Sequence, residues 1–132
     1  MASNRFKPAR FGNAAVNTVT GELIIEGATV ISAMTVTGSE TIPDDVSLVL
    51  CDNQSGGHFI LTIPDIADVP IGHIIGVKDA VGNFGLFQRC TISGDANIDA
   101  SAQLTLAVAW RAATICSDGT KWNIISYFGG AL

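Results

Sequence analysis

Short apolar runs rich in Val, Ile, Thr and Leu recur every 8 to 15 residues along this chain, with Gly, Asn, Asp or Pro between them. No stretch sustains apolar residues at i, i+3, i+4 and i+7, so no amphipathic helix is expected. Many short strands with regular turn punctuation are the pattern of an all-β fold. Strands are expected at Gly21 to Glu26, Thr29 to Thr37, Val46 to Cys51, His58 to Ile63, His73 to Asp79 and Phe87 to Ser93. Three more follow at Leu104 to Val108, Arg111 to Ser117 and Thr120 to Tyr127. The last two flank Asp118-Gly119, a pair that tolerates positive φ, which predicts a closing hairpin with a two-residue type I′ turn. Residues 1–20 hold Pro8, Gly12, Asn13 and Asn17 and no strand pattern. The expected organisation is an extended N-terminal arm over 1–20 and one antiparallel, jelly-roll-like β-sandwich over 21–132.

Only 14% of the residues are charged although 48% are hydrophobic, against roughly 25% charged in an ordinary soluble domain. Part of the surface is therefore expected to be covered by copies of the chain or by a partner. The formal charge is −5, but Arg5, Lys7 and Arg10 precede the first acid, Glu22. A basic arm carrying +3 thus leads into a body carrying −8, and a body of that sign repels nucleic acid. The longest uncharged apolar runs, such as Leu104 to Trp110, are far too short to span a bilayer. No apolar stretch follows the basic arm, so no secretory signal is expected. Cys51, Cys90 and Cys116 are odd in number and lack close spacing, which fits buried thiols better than a disulfide framework.

His58 and His73 belong to no local catalytic motif, leaving only a spatial Cys–His pair as an enzymatic arrangement. Asp95, Asn97 and Asp99 have the first spacings of a calcium loop, but Ala100 and Leu106 stand where that loop needs Gly and Glu. Neither catalytic residues nor a cofactor are expected. Among the aromatics, Trp122 alternates with Ile124 and reads as a core anchor, whereas Trp110 beside Arg111 is a candidate glycan contact.

From about residue 45 to residue 127 the order of short phrases resembles a known module. The chain reads Leu61-Thr62-Ile63-Pro64-Asp65, Pro70-Ile71-Gly72, Val77-Lys78-Asp79-Ala80-Val81-Gly82-Asn83, Ile92-Ser93-Gly94-Asp95-Ala96-Asn97-Ile98-Asp99 and Cys116-Ser117-Asp118-Gly119-Thr120-Lys121-Trp122-Asn123. This succession is similar to the β-rich module of tailed bacteriophages found in trimeric capsid decoration (cement) proteins and at the distal ends of tail fibres and tailspikes. It departs from that pattern at Ala96-Asn97, where a Thr-Ile step is usual, and at Ala100, where Gly is usual.

The resemblance implies a non-enzymatic virion protein, a homotrimer that clamps the major capsid protein on the outer capsid surface. The alternative it implies is a receptor module for a host-surface glycan. A chain of 132 residues beginning at Met1 is expected to stand alone, which suits shell decoration better than the end of a fibre. Capsid attachment is expected at Arg5, Phe6, Lys7, Arg10 and Phe11, whose bases and rings combine charge with apolar anchors. The lightly charged segment Thr29 to Thr37 is expected to be covered by a neighbouring subunit through Val30, Met34 and Val36.

Overall fold

In a computed structural model of the chain, the described residues are 27–28, 30–54 and 56–129. The chain divides into two units, Met1–Val30 and Ile31–Leu132, and the expected arm over 1–20 lies outside the described residues. The strand expected at Gly21 to Glu26 lies outside the described residues, as do all five expected attachment residues.

The second unit is all-β. Its strands are β1 (Ala33–Val36), β2 (Glu40–Thr41), β3 (Leu48–Cys51), β4 (Phe59–Thr62), β5 (Ile74–Asp79), β6 (Cys90–Ile98), β7 (Ser101–Leu106), β8 (Ala112–Ser117) and β9 (Trp122–Phe128). Among the described residues, one 3-10 turn, Ile66–Asp68, interrupts them.

The all-β expectation holds, but the pairing is mixed, which corrects the expectation that it is antiparallel throughout. Strands β1, β3 and β5 form one parallel ladder, and β2, β4 and β6 form a second. The chain therefore spirals, visiting the two ladders alternately, so each strand of one ladder serves as the crossover that parallel pairing in the other requires. Three antiparallel pairings then close the spiral: β7 folds back on β6, β8 lies against β5, and β9 lies against β8. Strand β9 also meets β6 at Ile98 and Trp122, which joins the ladders. The resulting order is β1-β3-β5-β8-β9-β6-β4-β2, with β7 beside β6. Although β1 and β2 stand at opposite ends of this path, only Thr37, Gly38 and Ser39 connect them. Four residue steps reach at most about 14 Å, so the sheet nearly closes on itself.

Period-two alternation places the core inside the closure. Strand β4 alternates buried Phe59 and Leu61 with exposed Ile60 and Thr62, and β8 buries Ala113, Ile115 and Ser117. Register stacks like on like: Phe59, Cys90 and Leu106 form one inward row, and Leu61 and Ile92 lie side by side in the next. Trp122 is fully buried as the first residue of β9, with the His73 ring edge-on at 6.2 Å.

The closing hairpin forms, with a longer turn than expected. Residues 118–121 connect β8 to β9, and Gly119 alone takes a positive φ, +91°. The Asp118 carboxylate accepts hydrogen bonds from the amides of Thr120 and Lys121 and from the Asn123 side chain. This Asx-type turn replaces the I′ turn because the side chain supplies the acceptor that the backbone lacks. Its bonds, the one from Asn123 foremost, hold the Asp118 carboxyl down to about 2.

Candidate functional site

Inward register carries one charge into the interior. Val36 pairs with Cys51 and Cys51 with Asp79, so the carboxylate at the end of β5 continues an otherwise apolar row. Asp79 is completely buried. Its Oδ1 accepts from the amides of Val81 (3.2 Å), Gly82 (2.9 Å) and Asn83 (3.2 Å), and its Oδ2 from those of Phe84 and Trp110, both 2.9 Å. Burial pushes its carboxyl up, but the amides of Phe84, Trp110, Asn83 and Val81 together prevail and hold it below the usual carboxylate range. One side chain thus fixes both the Val81-Gly82-Asn83 turn and the distant Trp110 loop. Phe84, placed by this bond, stacks obliquely on Phe59 with centroids 5.9 Å apart.

Trp110 sits at φ +66°, a conformation unusual for a bulky residue. Its indole lies over Gly82, where an added Cβ would fall 2.5–2.8 Å from the ring atoms. The Lys78 ammonium stands 5.6 Å from the ring centroid and donates to the Trp110 carbonyl at 2.9 Å. Arg111 turns instead to Tyr127: its guanidinium lies 4.8 Å from that ring, and Nη1 donates to the hydroxyl at 2.7 Å. The expected glycan contacts Trp110 and Arg111 are therefore each engaged within the protomer. Trp110 is still 40% exposed, but the glycine and the lysine both occupy space against its ring.

Strand β9 ends in the larger exposed feature. Ile125, Tyr127 and Phe128 are 55%, 45% and 59% exposed, and the strand carries no charged residue. Ser126, Tyr127 and Phe128 pair with β8 on one side, and a register shift opposite Thr114 and Ile115 leaves Ile125 out of the ladder. On the other side, among the described residues, β9 pairs only through Trp122 with Ile98. Among the described residues, its distal half thus has no partner strand on that side.

The expected interface residues land in three settings. Val30 is 89% exposed. Met34 packs partly against the core. Val36 is a core side chain at 2% exposure, already covered within its own protomer. Strand β1, shorter than the expected Thr29 to Thr37, is an edge that pairs with β3 alone among the described residues.

The histidines, the cysteines and the Asp95 and Asp99 carboxylates are dispersed. Among the described residues, neither histidine hydrogen-bonds a cysteine or an aspartate: His58 meets Arg89, and His73 packs on Trp122. All three cysteines are free, with Cys51 and Cys90 fully buried. The hydrogen bond that Cys90 shares with Cys51, which holds the neutral thiol, together with burial drives Cys90 far above its ordinary range and makes it a poor nucleophile. Asp95 accepts from the Ile66 amide, and Asp99, at φ +52°, turns the β6–β7 hairpin and accepts from the Ile124 amide. Those two carboxylates serve the backbone. No family model and no curated protein matches the chain.

Proposed function

We propose that this chain is a structural subunit that works as a homo-oligomer, a trimer attached to the outside of a tailed-bacteriophage capsid through its major capsid protein. The observation that carries the oligomer is the distal half of β9. An edge strand with no charged residue of its own, exposing Ile125 and Phe128 beside a Tyr127 that Arg111 engages, is a liability in a monomer, and natural edges of this kind are paired, covered or blocked by charge. A second copy supplies both missing partners, strand hydrogen bonds and apolar cover. The low charge of the whole chain, 14%, supports the same reading, because large contact faces lose charged residues first. The trimeric order and the capsid rest on the phrases running from Leu61 to Asn123 that resemble decoration proteins.

Attachment of a folded subunit to many equivalent sites stabilises a shell by linkage, and even about 3 kcal/mol per site is substantial when multiplied over a particle. Particles assembled without the chain should lose their genome at lower temperature or milder osmotic shock than decorated ones. Equal survival of the two would remove the capsid role and leave the oligomer to be judged separately.

A further inference from the structure

The outer face of β4, β6 and β7 takes no part in the core, and its side chains follow two regular rows. Ile60, Thr91 and Thr105 occupy one row, and Thr62, Ser93 and Gln103 the next. At the end of these rows the amide of Phe59 donates to the Arg89 carbonyl at 3.0 Å, which sets His58 beside Arg89. A cleft of about 380 Å³ opens there, lined by His58, Ile60, Arg89, Thr91, Gln103 and Thr105. Ser39 closes one wall, its hydroxyl already accepting from the Ile60 amide at 3.0 Å. The volume falls within the roughly 300–1,000 Å³ of small-ligand sites.

The chemistry of this lining is specific. His58 Nδ1 accepts from both the amide and Nε of Arg89, at 3.4 and 3.3 Å, while Nη2 lies 3.1 Å from His58 Nε2. The ring orients the guanidinium without cancelling its charge. No carboxylate pairs with Arg89 among the described residues, and its Nη1 makes no hydrogen bond there. Around this single oriented cation stand only neutral groups that both donate and accept: the Thr91 and Thr105 hydroxyls, 3.5 Å apart, and the Gln103 amide. Ile60, 51% exposed, adds an apolar floor.

We propose that this cleft binds an acidic saccharide, with its carboxylate on the Arg89 fork, its hydroxyls on Thr91, Thr105 and Gln103, and a C–H face against Ile60. A planar guanidinium matches a carboxylate in a way a point charge does not. A polyphosphate or nucleic acid would call for several cations, and the cleft has one on a chain of net charge −5. The cleft has no Asp or Glu in its lining, so it lacks the paired carboxylates of glycoside hydrolysis. It is a binding site, and it is independent of the oligomer argued above.

The test is an amide-resolved NMR titration of the full chain with D-glucuronic acid, D-glucose and inorganic phosphate in parallel. Glucuronate should shift the amides of Arg89, Thr91, Gln103 and Thr105 saturably, at least tenfold more tightly than glucose or phosphate. Arg89→Gln, an exposed change that leaves the core untouched, should weaken glucuronate at least tenfold, and Arg89→Lys should restore only part of the loss. Raising salt should weaken binding, since the contact is exposed. Equal affinity for glucose, equal affinity for phosphate, undiminished binding by the glutamine variant, or no shifts in these four amides would each overturn the assignment. None of these outcomes bears on the oligomer, which a mass measurement decides.

Discussion

Replacing Asp79 by asparagine removes the acceptor on which two loops depend. If the new amide keeps its oxygen toward Val81, Gly82 and Asn83, its NH2 group faces the amides of Phe84 and Trp110, donor against donor. Turned the other way, it opposes three amides instead of two. An orphaned buried donor costs about 1–3 kcal/mol, so two of them, with the lost charge assistance, give about 3–5 kcal/mol. That is a large share of the roughly 5–15 kcal/mol by which a domain is stable. With a slope of about 1–3 kcal/mol/M, the urea midpoint should fall by about 2 M, with the slope itself unchanged.

The Asp79→Asn change also leaves a local signature. Trp110 loses the bond that offsets its positive φ, so its emission should shift to the red, while Trp122, fully buried, should hold its own. Because the native carboxyl of Asp79 is held below its ordinary value, its stabilisation is present above the unfolded pKa of about 3.9. It is lost as pH falls through the lower native value. The wild type should therefore weaken below about pH 4 more steeply than the asparagine variant. A midpoint shift worth less than about 1 kcal/mol, or parallel acid profiles, would refute the keystone role.

Three further outcomes follow from the same geometry. Gly82→Ala puts a Cβ into the Trp110 ring and a side chain at φ +73°; a loss of about 1–3 kcal/mol is expected in urea unfolding, with altered Trp110 emission. Trp122→Ala empties the core under the closing hairpin and should cost about 3–5 kcal/mol, read by thermal melting. Cys51 and Cys90 should resist a thiol reagent in the native protein and react only on unfolding, because both are fully buried; rapid native labelling of either would contradict the packing.

The positions of most strands were legible from period-two alternation: the expected His58 to Ile63 and Arg111 to Ser117 became Phe59–Thr62 and Ala112–Ser117. Alternation reports which side chains face inward. It carries no information on strand direction, which is why the parallel spiral was hidden. Strand β2, two residues long, offered no pattern at all. Strand β6 runs on through Gly94, Asp95 and Asn97, residues that read as a turn. Gly94 is accommodated there because Ile63 passes within 2.8 Å of where a Cβ would stand, and the Asp95 carboxylate bonds Ile66. Trp122 was legible as a core anchor from its alternation with Ile124. Asp79 carries a signal in the sequence, an acid at the end of an apolar strand run just before Gly82-Asn83. The His58–Arg89 cleft left none, since 31 residues separate the pair and only the β4–β6 register brings them together.

The central claim is that the distal half of β9 is a contact between copies of this chain, and the mass of the protein in solution tests it most directly. Sedimentation equilibrium of the full chain should give three times the 13.7 kDa protomer. Ile125→Lys combined with Phe128→Lys, two changes at exposed positions, should reduce that mass to a single protomer with an unchanged β-rich circular dichroism spectrum. A wild-type chain that sediments as a monomer across concentration, or a doubly substituted chain that keeps the oligomer intact, would contradict it.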